Sequence, residues 1–260
     1  MKVSHEVPLR MLSNSRSFND YDYALVHLFG DYPEYHKFYK ESLMLGREVI
    51  LDNSLFELGK AWDSNLFIQA IKDLQPTYYI IPDSFDNYYG TIKLFDDFLL
   101  KIKSLKTDSK KIGVIHGRSL DEYIACYKHI EPFVDKVAIS FGYSYYQEVG
   151  VGNINLNRML GRYRLISDLL KYKIINTNKP HHLLGGSLPQ EFSLYRHKLF
   201  SFINTIDTSS PVVHGIQGIK YQNYGLDDKS DIKMIDFFEH DIVNMDIIEY
   251  NIGVFRTFVK

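Results

Sequence analysis

The chain has 260 residues, 45% hydrophobic and 24% charged, with a formal net charge of −2. That length can bury a substantial core in one large domain or two small ones, and the near-neutral charge excludes a polycation, so any nucleic-acid partner has to meet a local basic patch. A single cysteine, Cys126, excludes an intrachain disulfide framework and a zinc site built on several thiolates.

No apolar run reaches the roughly 18 residues that a membrane span needs. The polar start MKVSHEVPLR does not read as a signal peptide. The expectation is a soluble, cytoplasmic protein with no membrane partner. Short apolar runs alternate with longer segments of helical spacing. YALVHLF (23–29) and REVILDNS (47–54) read as strands. A helix is expected over 65–75 on Leu66, Ile68, Ala70, Ile71 and Leu74, with Asn65 as its cap. TYYIIPD (77–83) is the next strand, and Ile92, Phe95, Phe98, Leu99 and Ile102 then mark a helix over 88–106. KIGVIHG (111–117), KVAISFG (136–142), HHLLGG (181–186) and INTIDTS (203–209) continue the strands, with helices expected over 120–131, 157–174 and 189–202. Pro189 suits the opening turn of the last of these. Residues 231–259 read as one long amphipathic helix closing the structure.

Strands alternating with helices imply a parallel sheet. No linker or internal repeat is visible, so the prediction is a single α/β domain over 1–260, a (β/α)8 TIM-barrel. An eighth strand is required, either in VVHGIQGI (212–219) or nearer the N-terminus. A doubly wound sheet is disfavoured because no GxGxxG turn follows the first strand.

In such a barrel the site lies at the C-terminal strand ends. Those ends carry Asp52, Asp83, His116-Gly117, Gly142, Gly185-Gly186 and Asp207. A single strand-end Asp would be read as a helix cap; three of them converging on one mouth suggest chemistry. Two carboxylates across a small pocket can displace at an anomeric carbon, one attacking and the other moving the leaving group's proton. A third can accept from the N–H edge of a purine-like base, and glycine strand ends leave room for a flat ring. His27, His116, Asp52 and Asp83 offer metal ligands as an alternative, as in metal-dependent barrel hydrolases. Against it, no HxH or HxxxH pair marks a strand end, and His181 and His182 should point to opposite faces of their strand.

At these positions the chain resembles the tRNA-guanine transglycosylase superfamily, the queuine and archaeosine tRNA-ribosyltransferase-like proteins, over about 49–210. LDNSLFELG resembles the segment carrying the general acid/base, matching Asp52, with Asn53 in place of the usual serine. IIPD matches the base-reading aspartate at Asp83. GVIHGRSLDEY resembles a Gly-Ile-Val-Gln-Gly segment, with His116 in place of glutamine and Gly117 following. KVAISFGYS resembles the strand whose glycines flank the base, matching Gly142, and HHLLGGSLPQEF resembles a His-Leu-Leu-Gly-x-Gly-x-Pro segment, matching Leu184, Gly185 and Pro189. INTIDTSSP resembles the segment with the nucleophilic aspartate, Asp207.

The resemblance implies a pentosyltransferase with Asp207 and Asp52 catalytic. Asp83, His116, Gly117, Gly142, Gly185 and Gly186 would bind the base. The three-cysteine, one-histidine zinc cluster of the family's tRNA enzymes has no counterpart, so no zinc or other cofactor is expected. In this the chain is closer to the phage-type 7-deazaguanine DNA transglycosylases. They imply DNA as polymer partner, a preQ0-type 7-deazaguanine as small-molecule substrate, and the host cytoplasm as location. tRNA as the polymer and a non-catalytic nucleic-acid-binding member are the alternatives. Arg158, Arg162, Arg164, Lys171 and Lys173, and separately Arg196, His197 and Lys198, read as solvated helix faces, with phosphate contact as the alternative.

Overall fold

The computed structural model describes residues 1–141, 144–186, 188–222, 234–240 and 244–260. Within them the chain forms β1 (Lys2–Ser4), β2 (Asp22–Leu25), β3 (Val49–Asp52), β4 (Tyr78–Ile80), β5 (Lys110–Ile115), β6 (Lys136–Ile139), β7 (His181–Leu183) and β8 (Ile203–Asp207). All ladders are parallel, and the sheet order β1-β8-β7-β6-β5-β4-β3-β2 describes a nearly closed (β/α)8 barrel. The helices α1 (Pro33–Met44), α2 (Ser64–Leu74), α3 (Tyr88–Lys101), α4 (Leu120–Ile130) and α5 (Ile154–Lys171) follow β2 to β6 in turn. After β8 come α6 (Ser210–Ile216) and α7 (Met245–Val259). Among the described residues no helix is long and apolar enough to cross a membrane.

The eighth strand is the N-terminal one. VVHGIQGI is mostly helix instead, because Pro211 sits in the first turn of α6 and Thr208 Oγ1 accepts the Ser210 N–H there. The run 23–29 is strand only to Leu25 and then enters a helical turn, Leu28–Asp31. The cap of α2 is Asp63, not Asn65; its Oδ1 accepts from the backbone N–H of Asn65 and Leu66. In the same way Asn153 starts α5 three residues before the expected 157. Pro189 does open a helical segment, but of 3-10 type (Pro189–Tyr195), followed by a second short one (Lys198–Phe200), so no α-helix spans 189–202. The long terminal helix is also divided: Met234–Phe237 is a separate 3-10 turn and α7 begins only at Met245. Gly215 lets α7 lie against α6, since a Cβ there would come within 2.8 Å of Ile248 Cα.

Strand alternation sends one set of side chains outward under the helices and the other into the barrel. Gly113 faces outward, where a Cβ would strike Ile130 of α4. Contacts between non-neighbouring strands can only cross the interior, and they define its floor. There Lys136 of β6 lies 4.2 Å over the Tyr78 ring of β4 and donates to Thr205 Oγ1 of β8 at 3.3 Å. Above that floor the inward positions turn toward the C-terminal mouth.

Candidate active site

A cleft of about 740 Å³, including its open mouth, sits over the C-terminal strand ends, and Asp52, Asp83 and Asp207 all line it. Pairing fixes the heights: Asp52 is level with Leu25 across β3/β2, and Asp207 with Ser4 across β8/β1. Phe85, Phe141 and Met234 add apolar walls, and Glu6 and Glu57 bring two further carboxylates to the rim.

Asp207 ends β8 and is 5% exposed. His182 Nε2 lies 2.9 Å from its Oδ1, and the Gly185 N–H donates to the same oxygen at 3.3 Å. Among the described residues no donor reaches Oδ2. Gly185 has φ +63°, a conformation that favours glycine, and this turns its N–H toward the acid. Thr208, Ser209 and Ser210 form the turn into α6; Thr208 Oγ1 donates to the Gly186 carbonyl at 3.3 Å.

Asp52 ends β3 and receives the Tyr23 hydroxyl at 2.6 Å on Oδ2 and the Ser54 N–H on Oδ1. Burial and the neighbouring Glu57 and Asp207 carboxylates nevertheless push its pKa well above 3.8, the two donors opposing them. Tyr23 also stacks on His182, with ring centroids 6.1 Å apart. Its own pKa is raised by burial and by Asp207 and Asp52, so it stays a phenol that donates. Burial likewise lowers His182, against the pull of Asp207, and favours the neutral ring.

Asp83 follows β4 and is clamped on both oxygens. Asn53 Nδ2 donates to Oδ1 at 2.7 Å, and His116 Nε2 lies 2.6 Å from Oδ2. His116 has no exposed surface and stands behind Asp83 rather than on the cleft wall. Gly117 packs under the start of α4, where a Cβ would come within 2.7 Å of Tyr123 N, and Gly186 packs on the Phe192 ring. Of the expected base-binding set, the cleft is therefore lined by Asp83 and Gly185, while His116, Gly117 and Gly186 lie outside its wall. Gly142 lies outside the described residues. His181 and His182 do point apart: His181 faces the Tyr127 hydroxyl of α4 at 3.2 Å, and His182 faces the interior.

The α5 cations do not form one solvated face. Arg162 is fully buried in a two-pronged pair with Glu191, at 2.7 and 2.9 Å, and also donates to the carbonyls of Leu184 and Gly185 at 3.0 Å. It therefore holds the loop that brings Gly185 to Asp207. Arg164 pairs with Glu148, and Arg196 donates to the carbonyls of Thr257 and Phe258. Arg158 lies 5.3 Å over the ring of Phe141, which lines the cleft.

Asn53, Tyr23, His182, Arg162 and Glu191 were missed as site residues. The available signal was a polar or hydroxyl-bearing side chain inside a short buried strand, as at Tyr23 in DYAL or His182 in HHL. Among the described residues no group of three or more His, Cys, Asp or Glu side chains is placed to hold a metal ion, and His116 and Asp83 are spent on each other. The sequence matches no protein-family model, and no curated protein matches it.

Proposed function

We propose that the chain is a transglycosylase that exchanges guanine in a nucleic acid, preferentially DNA, for a preQ0-type 7-deazaguanine. The observation that carries this reading is the pair of unlike carboxylates on one cleft. Asp207 is oriented by His182 and Gly185, with no donor among the described residues reaching Oδ2, and Asp52 is biased toward its protonated form. That is the division of labour between nucleophile and proton donor that displacement at an anomeric carbon needs.

In the first step Asp207 Oδ2 forms a bond to C1′ of the target nucleotide as the C1′–N9 bond breaks. Guanine leaves with the bond pair and takes the Asp52 proton. The 7-deazaguanine then enters, gives its ring N–H proton to the Asp52 carboxylate and attacks C1′, and Asp207 departs as a carboxylate. Asp83, held by Asn53 and His116, accepts from the amino and ring N–H edge of either base. The target nucleotide has to be flipped out or single-stranded, because C1′ is not reachable within a stack. Arg158, over the Phe141 ring of the cleft wall, would meet a flanking phosphate. DNA is favoured over tRNA because one cysteine cannot build the thiolate zinc cluster of the tRNA enzymes.

The test supplies labelled guanine or preQ0 with DNA and, separately, with tRNA. Label should enter DNA, and Asp207→Asn should lower the rate by roughly 10⁴- to 10⁶-fold, the scale of losing a nucleophile. Full turnover by Asp207→Asn would refute the assignment. Label entering only tRNA would move the substrate, and binding without exchange would indicate a non-catalytic protein.

A further inference from the structure

The barrel interior holds a hydrogen-bonded line that starts at its floor and ends on Asp207. Lys136 Nζ donates to Thr205 Oγ1 at 3.3 Å, Thr205 Oγ1 lies 2.9 Å from His182 Nδ1, and His182 Nε2 lies 2.9 Å from Asp207 Oδ1. Lys136, Thr205 and His182 are each no more than 1% exposed. Nothing in the proposed exchange uses Lys136 or Thr205 directly, and a buried lysine in a barrel floor is costly unless it has work to do.

We infer that Lys136 and Thr205 are positioning residues that fix the tautomer of His182, and through it the orientation of the Asp207 carboxylate. An ammonium can only donate. Thr205 Oγ1 therefore accepts from Lys136, and its own proton is directed to the short contact with His182 Nδ1; its other neighbour, Asn204 Oδ1, is farther, at 3.4 Å. His182 Nδ1 is then an acceptor, so the neutral ring carries its proton on Nε2 and donates it to Asp207 Oδ1. Every donor in the line points toward the mouth. Burial lowers the Lys136 pKa to about 8, against the pull of the Glu48 carboxylate 3.7 Å away, so at pH 7 the lysine at the start of the line is still mostly an ammonium. Tyr23 stacks on the His182 ring and limits its tilt. The result is one oxygen of Asp207 pinned by a neutral donor and the other left for the cleft. The tautomer assignment stands on this geometry alone; its importance for turnover rests on the reading of Asp207 as nucleophile.

The two parts are tested separately. Nitrogen-15 NMR of the ring nitrogens reports the His182 tautomer without substrate. The wild type should show Nε2–H. The decisive variant is Asp207→Ala, which removes the acceptor at the mouth: if the floor sets the tautomer, Nε2–H persists, and adding Thr205→Val abolishes the preference while Thr205→Ser retains it. Nδ1–H in the wild type, or in Asp207→Ala, overturns the inference. In the exchange assay Thr205→Val should lower kcat by about tenfold with little change in KM, the size expected for one lost hydrogen bond that holds a charged group, and Thr205→Ser should restore it. Wild-type kcat in Thr205→Val would overturn the positioning role. Failure of the nucleophile reading would show instead as exchange surviving Asp207→Asn with the tautomer unchanged.

Discussion

At the scale of single residues, the sharpest consequence belongs to Asp52. Its native pKa is raised above 3.8 by burial first and by Glu57 and Asp207 next, while Tyr23 and Ser54 oppose the shift. The folded state therefore keeps a proton that the unfolded chain releases. Stability contributed by this group is full below the unfolded value and is lost as pH rises through the folded one. Asp52→Asn imitates the neutral acid and cannot ionise. Its urea midpoint should exceed that of the wild type at pH 7, and the two should converge below about pH 4, where the wild-type acid is neutral in both states. A variant less stable than the wild type at pH 7 would mean that Asp52 is held as a carboxylate. In the proposed exchange, with Asp52 as proton donor, the rate should also fall as pH rises past the native value, since the departing base would then find no proton. The strand-end acids were legible because a carboxylate closing an apolar run stands out. Asn53, Tyr23 and His182 were not, because their partners lie 30, 29 and 25 positions away, and only barrel closure brings them together.

At the scale of elements, α5 shows why charge on a helix is a poor guide to its solvated face. Arg158, Arg162 and Arg164 look alike in sequence, yet Arg162 turns under the ends of β6 and β7. Gly161 makes this possible: a Cβ there would lie 2.4 Å from Tyr146 Cβ, so only a glycine lets α5 approach that closely. The buried guanidinium is satisfied by both Glu191 oxygens and by carbonyls of the β7 loop, and the Tyr195 hydroxyl donates to Glu191 at 2.9 Å. Glu191→Ala would strand that charge without a partner. Urea denaturation should show a loss of about 3–5 kcal/mol, the range for breaking a fully buried pair. A loss below about 1 kcal/mol would mean the pair behaves like a surface one. The same limits of pattern reading explain the 3-10 turns over 189–200 and the divided terminal helix. An apolar spacing of three to four says where a face can be buried, not whether the hydrogen bonding continues unbroken beneath it. Seven of the eight strands were legible because a parallel sheet buried on both faces leaves continuous apolar runs, whereas β1, only Lys2–Ser4, is too short to leave one.

At the scale of the whole molecule, the barrel has a seam. β1 ladders with β8 and β2 with β3, and no ladder joins β1 to β2. Two residues ahead of β2 bridge the gap. The Asp20 backbone N–H donates to the Val3 carbonyl at 2.9 Å, and Asp20 Oδ2 accepts the Val3 N–H at 2.8 Å. The Asn19 side chain acts as a strand partner for His5, accepting its N–H at 2.7 Å and donating to its carbonyl at 2.9 Å. From outside, Arg256 of α7 reaches the Phe18 carbonyl and Asp20, tying the terminal helix across the same seam. Exposed strand edges invite pairing with other chains, and these contacts cover one. The seam also bears on the site, because Ser4 is level with Asp207 and Glu6 lines the cleft. Asn19 is 8% exposed, so Asn19→Leu would leave the His5 N–H and carbonyl buried without partners. The expected cost is at least about 1–3 kcal/mol, the penalty for one buried polar group left unsatisfied. Hydrogen exchange should localise the effect: the amides of Val3 and His5 should exchange faster in the variant, while those of Ile50 and Val114 should shift only with the global stability. Equal acceleration across all strands would mean that the barrel opens as one unit, and unchanged exchange at His5 would mean that Asp20 and Arg256 close the seam without Asn19.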